Sequence, residues 1–281
     1  MSSSLFKVKS FFKSSFKVAL VTLTTVSFVG CEAVQHTTYG GQVGIDRKQF
    51  VLVPSQQVDQ SAAQAYAKVL AEASKKGQLN TNAQLVKRVK RVAGKIIPHT
   101  AVFRPDAPNW AWEVNVIESD QINAWCMAGG KIAFYSGLIT KLKLTDDEIA
   151  AVMGHEIAHA LREHSRERIS QQLATSLGLN LLASGLGLSQ GQTELAGLVT
   201  DVTFSLPYGR QHETESDRIG VELAARAGYD PRAAITLWQK MSSQNGVAPP
   251  ELLSTHPSPA NRIEDLKVYS QRVMSLYEAT L

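Results

Sequence analysis

One stretch constrains this chain more than any other. Thr145-Asp146-Asp147-Glu148 is a helix start in which the Thr hydroxyl and the Glu carboxylate can each satisfy a backbone donor, and His155-Glu156-Ile157-Ala158-His159 follows within the same helix. At roughly 100° per residue, positions four apart lie within about 40° of each other, so the two imidazoles project from one face and can share a metal. Glu156 sits beside them, placed to take a proton from a metal-bound water. The helix is expected to run to about Glu167.

A catalytic metal site of this kind needs three protein ligands and an open position. The spacing that supplies a third His shortly after the motif is absent, because Arg162 and Ser165 stand where that pattern requires Gly and His. Further on, Glu213-Thr214-Glu215-Ser216-Asp217 falls in a predicted helix, Gln211 to Ala227, closed by Gly228. Glu213 and Asp217 share a face there, while Glu215 points roughly 200° away from Glu213. Glu213 is therefore taken as the third ligand, and Asp217 as the carboxylate that receives an imidazole N–H and fixes its tautomer. His164 lies about 140° off the face of His159, so a surface or packing role is expected for it. His36, His99 and His212 carry no argument beyond exposure, and Tyr208 and Arg210 precede the ligand helix as candidate substrate contacts or turn residues.

The remainder of the chain sets the frame. With 281 residues, 44% hydrophobic and 19% charged, it is long enough for one large or two small globular domains and excludes wholesale disorder. Four of its 29 basic residues, Lys7, Lys9, Lys13 and Lys17, lie in residues 1–30, which hold no acid; beyond them 25 basic residues face 25 acidic ones. No basic patch survives, and nucleic-acid binding is set aside. Those lysines precede an apolar run, Val18 to Val29, too short for an ordinary membrane span and suited to the core of a signal peptide. The run ends Phe28-Val29-Gly30-Cys31, which resembles the bacterial lipoprotein signal, and Glu32 follows where inner-membrane retention would show Asp. The expectation is a signal over residues 1–30, a lipid on Cys31 and a place on the periplasmic side of the bacterial cell envelope, at the outer membrane in preference to the inner. An uncleaved interfacial anchor is the alternative.

Residues 31–55, with Gly40-Gly41, Gly44 and Pro54, read as a flexible tether, and residues 56–281 as the folded domain. Helices are predicted over Asp59–Lys76 and Asn82–Ile97, followed by a small antiparallel sheet between Trp110 and Thr140. The apolar, Gly-rich segment from Gln171 to Leu206 reads as a mobile helical hairpin or lid. A helix from Pro231 to about Ser242, a Pro-rich loop from Ala248 to Pro259 and a last helix over Arg262–Tyr277 complete the chain. Cys126 is the single thiol beyond Cys31 and reads as a packed strand residue.

Four matches in order give the chain a resemblance to the M48 zinc metallopeptidases, a family with membrane-bound and periplasmic bacterial members. They are Asn123-Ala124-Trp125 with Gly129-Gly130-Lys131-Ile132, the His155–His159 helix, Glu213 with Asp217, Arg218 and Gly220, and His256-Pro257 with Arg262-Ile263. The resemblance implies a mainly helical α+β body of the gluzincin type with a small sheet, one Zn2+ per chain, and ligands His155, His159 and Glu213. It also implies a substrate-binding strand over Asn123, Ala124, Trp125, Cys126 and Met127. His256 is then either an extra ligand in a resting state or a hydrogen-bond donor to the oxyanion. Arg262 would support the same charge or anchor its loop through a carboxylate pair. The expected activity is endoproteolysis of unfolded or misassembled envelope proteins, and the rival is a zinc-stabilised periplasmic chaperone or assembly factor. A metalloenzyme acting on a small amide or lipid is a third, weaker reading. Two departures from the family pattern stand out: Ala128 replaces a common Pro before the Gly pair, and residues 171–206 lack the membrane spans of the integral relatives. No residue pattern sets an oligomeric state.

Overall fold

The computed structural model describes residues 33–184, 192–243, 251–257 and 261–281. The expected signal and Cys31 lie outside these residues. A two-residue hairpin, β1 (Val34–Gln35) with β2 (Gln49–Phe50), opens the described chain. Helix α1 (Ser55–Lys75) starts behind Pro54 and turns Val58, Ala62, Ala65 and Tyr66 inward. Helix α2 (Ala83–Ile96) is capped by Asn82, whose side chain accepts from the Leu85 N–H, and it buries Leu85, Val89, Val92, Ala93 and Ile96 at helical spacing.

Strands β3 (Glu113–Ile117), β4 (Ala124–Met127) and β5 (Lys131–Tyr135) form the main sheet in the order β3-β5-β4. The β4–β5 hairpin is antiparallel as expected, closed by the Gly130 N–H on the Met127 carbonyl, so Ala128 is accommodated within that turn. Gly130 has φ +79°, and a Cβ there would meet the Trp112 ring at 2.6 Å, which requires glycine twice over. β3, however, pairs with β5 in parallel, so the sheet is mixed where an antiparallel one was expected. Alternation reveals strands but not their order; residues 118–123 carry the chain past β5 to the far edge, and β5 then returns alongside β3.

Helix α3 (Ser136–Lys141) leads to α4 (Asp146–Leu161), whose N-terminus carries the full capping box of Thr145 and Glu148. α4 is buried from Glu148 to Leu161. It ends at Leu161, short of the expected Glu167, because Glu163 takes a left-handed φ of +51°. The Glu163 carboxylate is held there by Arg104 at 2.7 Å and Arg166 at 2.5 Å. A new helix, α5 (His164–Ser184), starts beyond it, and α6 (Gln192–Phe204) completes a helical pair over the segment expected to form a hairpin. No helix among the described residues is long and apolar enough to cross a membrane.

The C-terminal half packs against α4. Helices α7 (Arg210–Arg226), α8 (Ala233–Ser242), α9 (Glu251–Thr255), α10 (Arg262–Arg272) and α11 (Met274–Glu278) follow in order. α9 puts a short helix inside the stretch expected as a Pro-rich loop. α4 and α7 cross closely at Gly154 and Gly220, where a Cβ on Gly154 would lie 2.6 Å from the Gly220 carbonyl oxygen. Residues 33–53 do not behave as the free tether their composition suggests. Val43, Ile45, Val51 and Val53 are buried, the Val43 N–H donates to Glu222, and Arg47 pairs with Glu167 and Glu215. This strap lies along α7 and the α4–α5 junction. Its Gly content serves close approach: Gly41, at φ +60°, sits where a Cβ would lie 2.4 Å from Phe103.

Candidate metal centre

The expected face of α4 and the expected face of α7 meet. His155 and His159 project from α4 with their Nε2 atoms 3.1 Å apart, and Glu213 from the first turn of α7 brings Oε1 to 3.4 Å from His159 Nε2 and Oε2 to 3.5 Å from His155 Nε2. His256, just past α9, places Nδ1 3.2 Å from His155 Nε2 and 3.1 Å from Glu213 Oε1. One donor atom from each of these four buried residues lies within 4.8 Å of the others.

The protons at this cluster can be assigned from its outer partners. His155 Nδ1 lies 2.9 Å from Asp217 Oδ1, so it carries the proton and donates, leaving a bare lone pair on Nε2. Burial drives His159 well below the usual imidazole pKa, which keeps it neutral. Burial alone would raise Glu213, but its histidine neighbours, His256 foremost, hold its carboxyl well below the ordinary range. Lone pairs and a carboxylate therefore converge out of water, an arrangement that repels itself unless a cation sits among them. The donor set of imidazole nitrogens and one carboxylate fits zinc.

Glu156 lies beside this cluster, buried; its Oε1, 3.5 Å from His256 Nε2, has no hydrogen bond among the described residues, while the Cys126 backbone N–H donates to the carboxylate. Burial raises its pKa. Asn123 is buried just before β4, and β4, with Ala124, Trp125, Cys126 and Met127, is an edge strand packed along α4. The register settles which backbone groups are left outside the sheet. The Tyr135 N–H bonds the Asn123 carbonyl, so residues 123, 125 and 127 pair with β5 and the N–H and C=O groups of Ala124 and Cys126 face outward. Trp125 and Met127 pack away from the helix, Trp125 edge-on to Tyr66 and Phe204. Cys126 is a free, fully buried thiol whose pKa burial pushes well up, an inert packed residue as expected.

Arg262 stands closer to the centre than its sequence context suggests. It is 2% exposed, stacks on Trp238 with its guanidinium carbon 3.3 Å from the ring centroid, and donates to Glu213 Oε2 at 3.0 Å and Asp217 Oδ1 at 2.6 Å. One cation thus holds the two carboxylates of α7. Tyr208 packs at a tilt against His159, ring planes 35° and centroids 4.0 Å apart, and its backbone N–H bonds the Thr255 carbonyl, tying the start of α7 to α9. Arg210 opens α7 and is exposed.

His212 departs from the exposure expected of it, and His164 takes the packing alternative expected of it, though on the side of His159. His212 is buried, with Nε2 3.1 Å from Glu167, and His164 is fully buried, with Nδ1 2.9 Å from His159 Nδ1. The face expected for His164 requires an unbroken helix, and the left-handed Glu163 turns it back. Glu215, facing away from Glu213 as the helix geometry requires, meets His164 at 3.1 Å and Arg162 at 2.8 Å.

Comparison with known proteins agrees with this arrangement. The sequence profile of peptidase family M48 matches residues 80–270. The mitochondrial metalloendopeptidase OMA1 of Arabidopsis thaliana is 38% identical over 152 residues, covering 54% of this chain and 30% of the relative. OMA1 of Saccharomyces cerevisiae is 28% identical across 95% of this chain and 80% of its own length. The beta-barrel assembly-enhancing protease of Escherichia coli is 32% identical over 54% of this chain and 33% of its own. The chain spans less than half of several of these relatives, 30% of the Arabidopsis protein and 46% of the OMA1 of Schizosaccharomyces pombe. The matched region holds His155, His159, Glu213 and His256, and on that basis the chain belongs to peptidase family M48.

Proposed function

We propose that the protein is a zinc-dependent endopeptidase that cleaves unfolded or misassembled proteins of the bacterial envelope. The observation that carries this reading is the buried Glu156 carboxylate, one oxygen of which is unpartnered among the described residues, set between the converging donors of His155, His159 and Glu213 and the edge strand β4. When bound, zinc supplies the Lewis acid that polarises a carbonyl and makes water a nucleophile at neutral pH.

The chain's own residues do the rest. An extended peptide adds to β4 through the outward groups of Ala124 and the Cys126 carbonyl, a mode that accepts any sequence able to extend and therefore selects unfolded chains. Glu156, its pKa raised by burial, takes a proton from the attacking water and returns it to the leaving amine. His256, 3.5 Å from Glu156, directs its Nε2–H to the developing oxyanion. Asp217 fixes His155 as the Nδ1–H tautomer, and Arg262 keeps the Glu213 and Asp217 carboxylates in register. Val152, Leu237, Trp238, Met241 and Leu252 line a small apolar cavity beside Glu156.

Location follows from the lysine-rich start, the Val18–Val29 run and Cys31: a lipid-anchored protein on the periplasmic side of the outer membrane. Relatives named as beta-barrel assembly-enhancing proteases support envelope substrates. The fourth donor, His256, favours one rival, a zinc-stabilised assembly factor with a closed site. Digestion of casein by the zinc-loaded protein, with Glu156→Gln beside it, separates the two. Cleavage by the parent alone is expected; equal cleavage by both removes Glu156 from the chemistry, and cleavage by neither, with zinc bound, favours the assembly factor.

A further inference from the structure

Each α4 imidazole in the metal centre needs its second nitrogen occupied, and the two are served differently. His155 Nδ1 reaches Asp217 directly at 2.9 Å. Among the described residues His159 Nδ1 meets no carboxylate; its partner is His164 Nδ1, at the same distance. Two facing ring nitrogens bind through a single proton. Since His159 turns Nε2 to the cluster, that proton belongs on His159 Nδ1, and His164 must accept through a bare Nδ1. The proton of neutral His164 is then on Nε2, which points at Glu215 Oε2, 3.1 Å away.

We propose that Glu215 and His164 form a positioning relay that fixes the tautomer and ring angle of His159, doing at one remove what Asp217 does for His155. The inference rests on the metal-centre reading. It gives each carboxylate of Glu213-Thr214-Glu215-Ser216-Asp217 a separate role. Glu213 turns to the cluster, Asp217 to the first histidine, and Glu215, on the opposite side of α7, to the second through His164. The relay is rigidly backed. Arg162, fully buried, donates to Glu215 from Nε at 2.9 Å, and Arg47 joins Glu215 to Glu167. His212, bonded to Glu167, stacks on His164 with ring centroids 4.4 Å apart, and the Ser216 hydroxyl lies 3.4 Å from His164 Nδ1. Arg47 comes from the strap, outside the region matched by the family profile, so a segment beyond that region braces a histidine of the metal centre.

Zinc affinity, read by competition with a chromophoric chelator, tests the relay without using turnover. His164→Phe keeps the ring and removes both nitrogens; its zinc dissociation constant is expected to rise about 10- to 100-fold, the range typical for loss of a ligand's outer partner. His164→Asn, which returns an acceptor near Nδ1, is expected to recover part of that loss. A His164→Phe protein that binds zinc as tightly as the parent overturns the relay, as does one whose metal-free form melts earlier with no change in affinity. Should the variant not fold, ring 15N spectra of the unaltered zinc-loaded protein decide: His164 protonated on Nε2 and His159 on Nδ1 are expected, and a proton on His164 Nδ1 refutes the assignment. Parent protein that takes up no zinc refutes the metal centre itself, a distinct result.

Discussion

The contact between α4 and α7 sets the distance between the two halves of the metal centre, and it is made by two glycines. A Cβ on Gly154 would stand 2.6 Å from the Gly220 carbonyl oxygen, and one on Gly220 would stand 2.8 Å from the His155 nitrogen. Both obstacles are backbone, so Gly154→Ala must part the helices until the contact reaches the ordinary 3.4 Å, an opening of about 0.8 Å. Overpacking of this kind costs about 1–3 kcal/mol, and alanine returns about 1 kcal/mol of helix propensity, leaving a net loss of up to about 2 kcal/mol. The same opening carries Glu213 away from His155 and His159, already 3.4–3.5 Å from it, and zinc binding should weaken at least tenfold. Urea denaturation of the metal-free protein measures the first effect and chelator competition the second. Gly94 in α2 is the control: nothing lies within 4 Å of a Cβ there, so Gly94→Ala should stabilise by about 0.5–1 kcal/mol and leave zinc affinity alone. Equal stabilisation by the two substitutions would refute the reasoning.

Two further outcomes follow from charged groups. Arg262→Ala leaves Glu213 and Asp217 buried without their shared cation, and the metal-free protein should lose about 3–5 kcal/mol in the same urea assay, with zinc recovering part of it. Burial would raise Glu167, but hydrogen bonds from Arg47, His212 and Gln49 hold its carboxyl far below the ordinary glutamate value of 4.5, so its contribution is complete above that pH and declines as pH falls towards the folded-state pKa. Melting temperatures should therefore separate parent and Glu167→Gln by a constant gap above about pH 5.5 that narrows in acid; a gap that widens in acid contradicts the sign.

The parts legible in the sequence are those written in local spacing. The capping box and the four-residue interval of His155 and His159 specify one helix face, and the same arithmetic on α7 sends Glu213 and Asp217 one way and Glu215 the other. What stayed hidden depends on contacts between distant segments or on an unusual backbone. Glu163 carries no glycine or proline to announce a left-handed turn, and with the turn unseen His164 falls on the wrong side. Alternation around Val114 and Ile132 identifies strands without saying that β5 runs between the other two. The strap reads as a tether because Gly40, Gly41 and Gly44 look flexible in isolation, whereas Gly41 is needed where the chain presses on Phe103 and Glu222. Arg262 gains its place only once α10 has packed beside α7.

The strap also bears on the order in which the molecule can be completed. It is the first described segment to be synthesised, yet Arg47 bonds Glu167 and Glu215, 120 and 168 residues later, and the Gln42 side chain bonds the Arg272 carbonyl, 230 residues later. Contacts of such separation cost the most loop entropy and form late in folding. A nascent chain therefore holds His155 and His159 well before it can brace them, and the last of these contacts closes only once Arg272 has been made.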